Sequence, residues 1–309
     1  MKFFQIAKRT VLFLVVNFLV MFTLVIILSV FGVQQRLRMD NANYTTLLVI
    51  CCVMGMGGAF ISLLLSRFMA KMFQGVQVVD PNTTDRDEQW LVQTIYNLAR
   101  SAGLSAMPEV GIYPSPEINA FATGPSEAQA LVAVSSGLLS HMQPAEIEGV
   151  LGHEITHIAN GDMVTLTLIQ GVVNTIAMFL GWVLALMLSQ NSRSDGRRGG
   201  GGWYMRYMMQ QLFQSVFMVL GFLVVAKFSR WREFRADAGG ARLAGRDHML
   251  SALRRLKVIH EEGADHAGPP NPALQALQIS GKSGGFLALL ATHPPIEDRI
   301  ARLERPVIG

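Results

Sequence analysis

The sequence predicts an α-helical membrane protein that carries an α+β portion outside the bilayer, and three observations predict it. Half of the 309 residues are hydrophobic and only 16% are charged, against about 25% in soluble chains. Four apolar tracts, residues 10–33, 45–66, 164–189 and 207–226, contain no Asp, Glu, Lys, Arg or His. All the charge therefore falls in the remaining residues, whose charged share returns close to the soluble value.

Each tract reaches the ~20 helical residues that a hydrocarbon core requires. The first is too long for the apolar part of a cleaved signal peptide, and no small-residue cleavage site closes it. Lys and Arg in the flanks set the orientation. Lys2, Lys8, Arg9, Arg67, Lys71, Lys227, Arg230, Arg232 and Arg235 fall on one side, and Arg36, Arg38, Arg193, Arg197, Arg198 and Arg206 on the other. The richer side is expected to be cytoplasmic. Residues 189–202, rich in Gly and Arg, read as a flexible tether. The expected organisation is a membrane hairpin (1–66), a polar stretch (67–163), a second hairpin (164–226) and a second polar stretch (227–309).

In the first polar stretch, residues 87–102 have helical spacing. Short apolar runs at 109–113, 117–123 and 130–135, punctuated by Pro114, Pro116, Gly124 and Pro125, predict a small sheet of about three strands. A helix then opens at Pro144, with Glu146 and Glu148 at its positive end, and stops at Asn160-Gly161. The second stretch is mainly helical, broken by a Gly/Pro-rich loop over 263–285.

Composition and motifs exclude several functions. The chain is too apolar for disorder. Cys51 and Cys52 are neighbours inside a tract, so they read as packing residues. A net charge of +4, with no basic run interleaved with aromatics, argues against a nucleic-acid partner. Tracts without an ionisable residue argue against ion or proton transport. Gly281-Lys282-Ser283 lacks the upstream glycine of a phosphate loop, the position being Ala276, so no nucleotide is expected. His141, His248, His260 and His266 have no ligand spacing among themselves.

The helix from Pro144 carries His153-Glu154-Ile155-Thr156-His157. Positions i and i+4 lie about 40° apart on one face, so two imidazoles converge on a single metal ion, most commonly zinc. Glu154 beside them reaches a water on that ion without being a ligand. A catalytic zinc takes three protein ligands and keeps one open position. Just past the fourth tract, Glu233 and Asp237 stand at i and i+4. Glu233 suits the third ligand, and Asp237 suits the acceptor that fixes the tautomer of a ligand histidine. His157 lies just before the third tract and Glu233 just after the fourth, so a membrane hairpin would deliver both sets to the same side.

These features, with four membrane segments and Thr292-His293-Pro294-Pro295, resemble the HtpX family of bacterial membrane zinc metallopeptidases, whose clan includes the CAAX prenyl proteases. The resemblance covers nearly the whole chain. It implies a zincin-like metallopeptidase domain with one zinc per chain, held by His153, His157 and Glu233, with Glu154 as general base. Asp237 is implied to support a ligand histidine. His293 and Arg299 are implied as donors to the reacting carbonyl oxygen. Asn119-Ala120-Phe121-Ala122 matches the strand beside the family's cleft, where an extended substrate would add by main-chain pairing. The implied role is ATP-independent cleavage of misfolded membrane proteins and unfolded chains at the cytoplasmic face of the inner membrane, under stress. Two other readings compete with it: a processing peptidase of narrow specificity, and a metal-free membrane adaptor that binds extended segments without cutting.

Overall fold

A computed structural model describes residues 44–191, 202–264 and 291–305. Among the described residues, three helices are long and apolar enough to cross a membrane, over Thr46–Phe73, Asp162–Leu188 and Tyr204–Leu243. They correspond to the second, third and fourth predicted tracts. The tract at 10–33 lies outside the described residues, as do most of the 189–202 and 263–285 loops and the Gly281-Lys282-Ser283 segment.

The described chain divides into two units, one holding the residues up to Phe60 and Thr167–Phe222, the other Ile61–Leu166 and the residues from Leu223 onward. In the first unit, helix α1 (Tyr44–Phe73) packs on α5 (Asp162–Asn191) around Leu48, Cys51, Phe179, Val183 and Leu186. Buried Cys51 serves packing, as expected. A Cβ on Gly55 would fall 2.6 Å from the Thr175 backbone nitrogen, so only glycine permits that approach.

The second unit is α+β. Its sheet has the order β1-β2-β4-β3, formed by Gln77–Val78, Glu109–Tyr113, Leu131–Ser135 and Ala120–Thr123 respectively. β2 and β4 pair in parallel, and the other two pairs are antiparallel. The predicted sheet of three gains a fourth strand, β1, whose two residues are too few to show a period of two. The second predicted strand begins three residues late. Residues Ser115 and Glu117 are held instead as a loop by Ser136 and Ser135, whose hydroxyls donate to the Ser115 and Glu117 carbonyls at 2.9 and 2.6 Å.

One face of the sheet, with Val110, Ala120, Val132 and Val134, packs against α2 (Arg86–Ser101), α4 (Pro144–Asn160) and α7 (Arg246–Ala264). The core there is closed by Leu91, Ile95, Leu151, Ile155 and Leu253, all at or below 1% exposure. Ala70, Val76, Tyr113, Leu131 and Ala133 form a smaller cluster. Two short helices complete the unit, α3 (Ser136–His141) and α8 (Ile296–Glu304), together with the polar end of α6 (Gly202–Leu243).

Candidate metal centre

Helix α4 begins where its sequence dictates. Pro144 occupies the first turn, and the Gln143 N–H donates to Glu146 Oε2 at 2.8 Å. It ends at Gly161, whose φ of 66° is the left-handed conformation that glycine adopts without strain. That reversal opens α5 with Asp162 directly behind His157.

His153 and His157 are both buried, at 4% and 7% exposure. Their Nε2 atoms face each other at 3.2 Å. Glu233, on α6 and fully buried, completes the group with Oε2 at 3.2 Å from His153 Nε2 and Oε1 at 3.3 Å from His157 Nε2. A tetrahedral ion with ligand bonds of about 2.1 Å separates its ligand atoms by roughly 3.4 Å, so the spacing fits zinc. Among the described residues this is the group of three that could hold a metal ion.

Each histidine is fixed from behind. His157 Nδ1–H donates to Asp162 Oδ2 at 2.7 Å, and His153 Nδ1–H donates to Asp237 Oδ1 at 2.9 Å. Both protons are thereby placed on Nδ1, which leaves the Nε2 lone pairs to face the site. Asp237 is itself gripped by Arg299, which donates from Nε to Oδ2 at 2.8 Å and from Nη2 to Oδ1 at 2.6 Å. Arg299 is 1% exposed, and its Nη1 has no partner among the described residues. His293 Nδ1 lies 2.9 Å from Glu233 Oε2, and Arg232 Nη2 lies 3.3 Å from Oε1.

The electrostatics favour a cation. Burial alone would lower the pKa of His153, but hydrogen bonds and charge from Asp237 and Glu233 raise it to about 9. His157 is raised in the same sense, against its burial, by Glu233 and Asp162. Glu154 is buried at 6% exposure, and its carboxylate has no hydrogen-bond partner among the described residues.

Tight helix packing brings the ligands together. A Cβ on Gly240 of α6 would stand 2.9 Å from the His153 backbone nitrogen, and one on Gly239 would stand 2.2 Å from Thr156 Cγ2. Glycine at both positions lets α6 lie against α4 with Glu233 in reach.

The structure thus brings together His153, Glu154, His157, Glu233, Asp237, His293 and Arg299. It places Ala120, Phe121 and Ala122 on the edge strand β3, and Asn119 just before it. The sequence reading missed Asp162. Its signal was present, an acid five residues past His157 and directly after a helix-stopping glycine.

The profile of peptidase family M48 matches residues 85–307. Similar proteins include the "Protease HtpX homolog" of Methylacidiphilum infernorum, 47% identical over 300 residues, covering 96% of this chain and 98% of the relative. The "Protease HtpX homolog" of Bacillus subtilis is 47% identical over 305 residues, covering 96% and 99%. The "Protease HtpX" of Xanthomonas campestris pv. campestris (strain B100) is also 47% identical, covering 96% and 97%. The crystal structure of S. mikatae Ste24p shares the fold, with a TM-score of 0.58 at 15% identity, over 92% of this chain and 65% of that one. With the histidine pair, the buried glutamate and the apolar helices, these similarities show that the chain belongs to peptidase family M48 and is a membrane zinc metallopeptidase.

Proposed function

We propose that this chain is an ATP-independent endopeptidase of the bacterial inner membrane, cutting misfolded membrane proteins and unfolded polypeptides at the cytoplasmic face as part of a stress response. The observation that carries the reading is the spacing of 3.2–3.3 Å among the His153, His157 and Glu233 ligand atoms beside an unengaged Glu154.

In this reading His153, His157 and Glu233 hold one zinc. The bound ion supplies Lewis acidity and brings the pKa of water down to about 7. Glu154 accepts a proton from the attacking water and returns it to the leaving amine, a role that fits a carboxylate with no competing partner. Asp162 and Asp237 keep the histidine tautomers fixed while charge moves. His293 and Arg299 are the donors available to the carbonyl oxygen as it becomes negative. Arg299 also holds Asp237, and so His153, in place.

An extended substrate adds to β3 as a further strand. β3 is an edge strand, paired only with β4 among the described residues. Main-chain pairing there tolerates many sequences, as a quality-control protease requires. The cytoplasmic placement is supported by the surplus of Lys and Arg on that side. The absence of a phosphate-loop motif supports ATP independence.

Purified protein is expected to contain about one zinc per chain and to cleave casein without ATP. Glu154→Gln should keep the zinc and lose the cleavage. Full activity in that variant would sink the mechanism. The same variant, expressed in cells, should trap substrates, and a reporter fused after Gly309 should read as cytoplasmic.

A further inference from the structure

Tyr113 ends β2, and its partner across the parallel pair is Ser135 of β4. Ser135 is tied in turn to Asn119. Its backbone N–H donates to the Asn119 carbonyl at 2.9 Å, and its Oγ accepts the Asn119 N–H at 3.1 Å. Tyr113, Ser135 and Asn119 therefore form one row across the sheet, and side chains in a row share a face. Phe121, two residues past Asn119 and so on that face, packs its ring on Tyr113 with centroids 5.6 Å apart.

Tyr113 and Asn119 are 7% and 9% exposed. The Tyr113 phenol oxygen and Asn119 Oδ1 are both shut off from solvent, and neither has a partner among the described residues. Ser135 has no capacity left for them. Its hydroxyl donates to the Glu117 carbonyl at 2.6 Å and accepts the N–H groups of Asn119 and Leu138. Burial pushes the phenol up to about 12, with Asn119 and Ser135 facing it and the Glu154 charge within range. The two complementary polar groups flank Ser135 in this row, on one face of the sheet, and both lack another partner among the described residues.

We propose that Tyr113 is a positioning residue for the substrate edge: its phenol holds the Asn119 carboxamide, and the amide so fixed hydrogen-bonds the main chain of an extended peptide lying along β3 beside Glu154. A carboxamide carries both a donor and an acceptor, so one half engages the phenol while the other reads a peptide unit. Such a contact does not discriminate among side chains. Fixing the amide beforehand lowers the ordering cost of binding. The inference rests on the strand-addition reading of the β3 edge.

Tyr113→Phe deletes one oxygen and keeps the ring on Phe121. With zinc-loaded, full-length enzyme and a fluorescent peptide spanning a casein cleavage site, KM should rise about five-fold, the scale of one hydrogen bond, with kcat held. The melting temperature should hold. In the Glu154→Gln background, which binds without cutting, Tyr113→Phe should lower affinity for the same peptide by the same factor. In an Asn119→Ala background, Tyr113→Phe should change nothing further. An unchanged KM, an equal loss in the Asn119→Ala background, or a loss that tracks a fall in melting temperature would each overturn the role of Tyr113. If Asn119→Ala alone leaves KM unaltered, the strand-edge reading fails and this inference with it. If Asn119→Ala raises KM while Tyr113→Phe is silent, only the inference fails.

Discussion

The two ligand histidines are held by different kinds of support. Behind His157 stands one carboxylate, Asp162, five residues along the chain and delivered by a single left-handed turn. Behind His153 stands Asp237, on another helix and locked by Arg299, which lies a further 62 residues on. The contacts themselves are alike, at 2.7 and 2.9 Å. The difference lies in what else is buried. Asp162 is an acid serving one imidazole, whereas Asp237 belongs to a three-membered ionic group with Arg299 at 1% exposure. One support is local and separable. The other makes the metal site part of the fold's own stability.

The largest effect is therefore expected from Asp237→Ala. It frees the His153 tautomer and also strands a buried guanidinium, a loss of about 3–5 kcal/mol in folding stability. Denaturant unfolding of the metal-free protein measures this. Pairing Asp237→Leu with Arg299→Met should recover most of the stability without recovering zinc affinity, because apolar replacements tolerate burial but cannot orient an imidazole. Recovery of both would erase the distinction between the two supports.

Asp162→Ala should do the reverse. Zinc affinity should fall roughly 10- to 100-fold, as loss of a ligand histidine's hydrogen-bond partner does elsewhere. Metal-free stability should fall by only about 1–3 kcal/mol, the cost of leaving the buried His157 Nδ1–H unpaired, less than for Asp237→Ala. Competition with a zinc chelator reads the first quantity, and thermal melting after chelation reads the second. A large loss of metal-free stability would show that Asp162 too is part of the structural core.

The turn that delivers Asp162 offers a finer test. Gly161 sits at φ 66°, where a Cβ costs about 1–2 kcal/mol. Gly161→Ala should lose that much stability and weaken zinc through Asp162, while leaving the Asp237–Arg299 fork intact. Combined with Asp162→Ala, it should add no further loss of zinc affinity.

The same contrast explains what could be read from the sequence. His153 and His157 were legible because a helix repeats at about 100° per residue, which fixes neighbours four apart. Glu233 and Asp237 were legible for the same reason, helped by their place just past an apolar tract. Asp162 was not, because residues five apart lie about 140° apart on a continuing helix, and only the break at Gly161 brings the two together. Arg299 was identified, but its fork on Asp237 depends on α8 packing against α6, which no local pattern encodes. The row of Tyr113, Ser135 and Asn119 depends on strand register across two parallel strands and one antiparallel strand, set by tertiary structure. β1 escaped for want of length.

Glu109 supplies an exposed counterpart to Asp237 and the smallest expected effect. It too is an acid held by two cations, Arg67 and Lys71, the latter at 2.7 Å, but its side chain is 38% exposed. Burial pushes its pKa up, and hydrogen bonds and charge from Lys71 and Arg67 more than offset this, so the carboxyl lies below its ordinary value. A lowered carboxylate stabilises the fold fully above the unfolded pKa of about 4.3 and loses that contribution as pH falls through the folded value. Glu109→Gln should therefore narrow the stability difference between neutral and acid pH, with its effect confined to the region above that fall. Because water and salt screen the pair, the change should be small and should shrink further at high ionic strength. Acid-unfolding curves at two salt concentrations measure it. A large, salt-independent effect would mean that an exposed ionic cluster can do what the buried Asp237–Arg299 pair does, and burial would no longer separate the two.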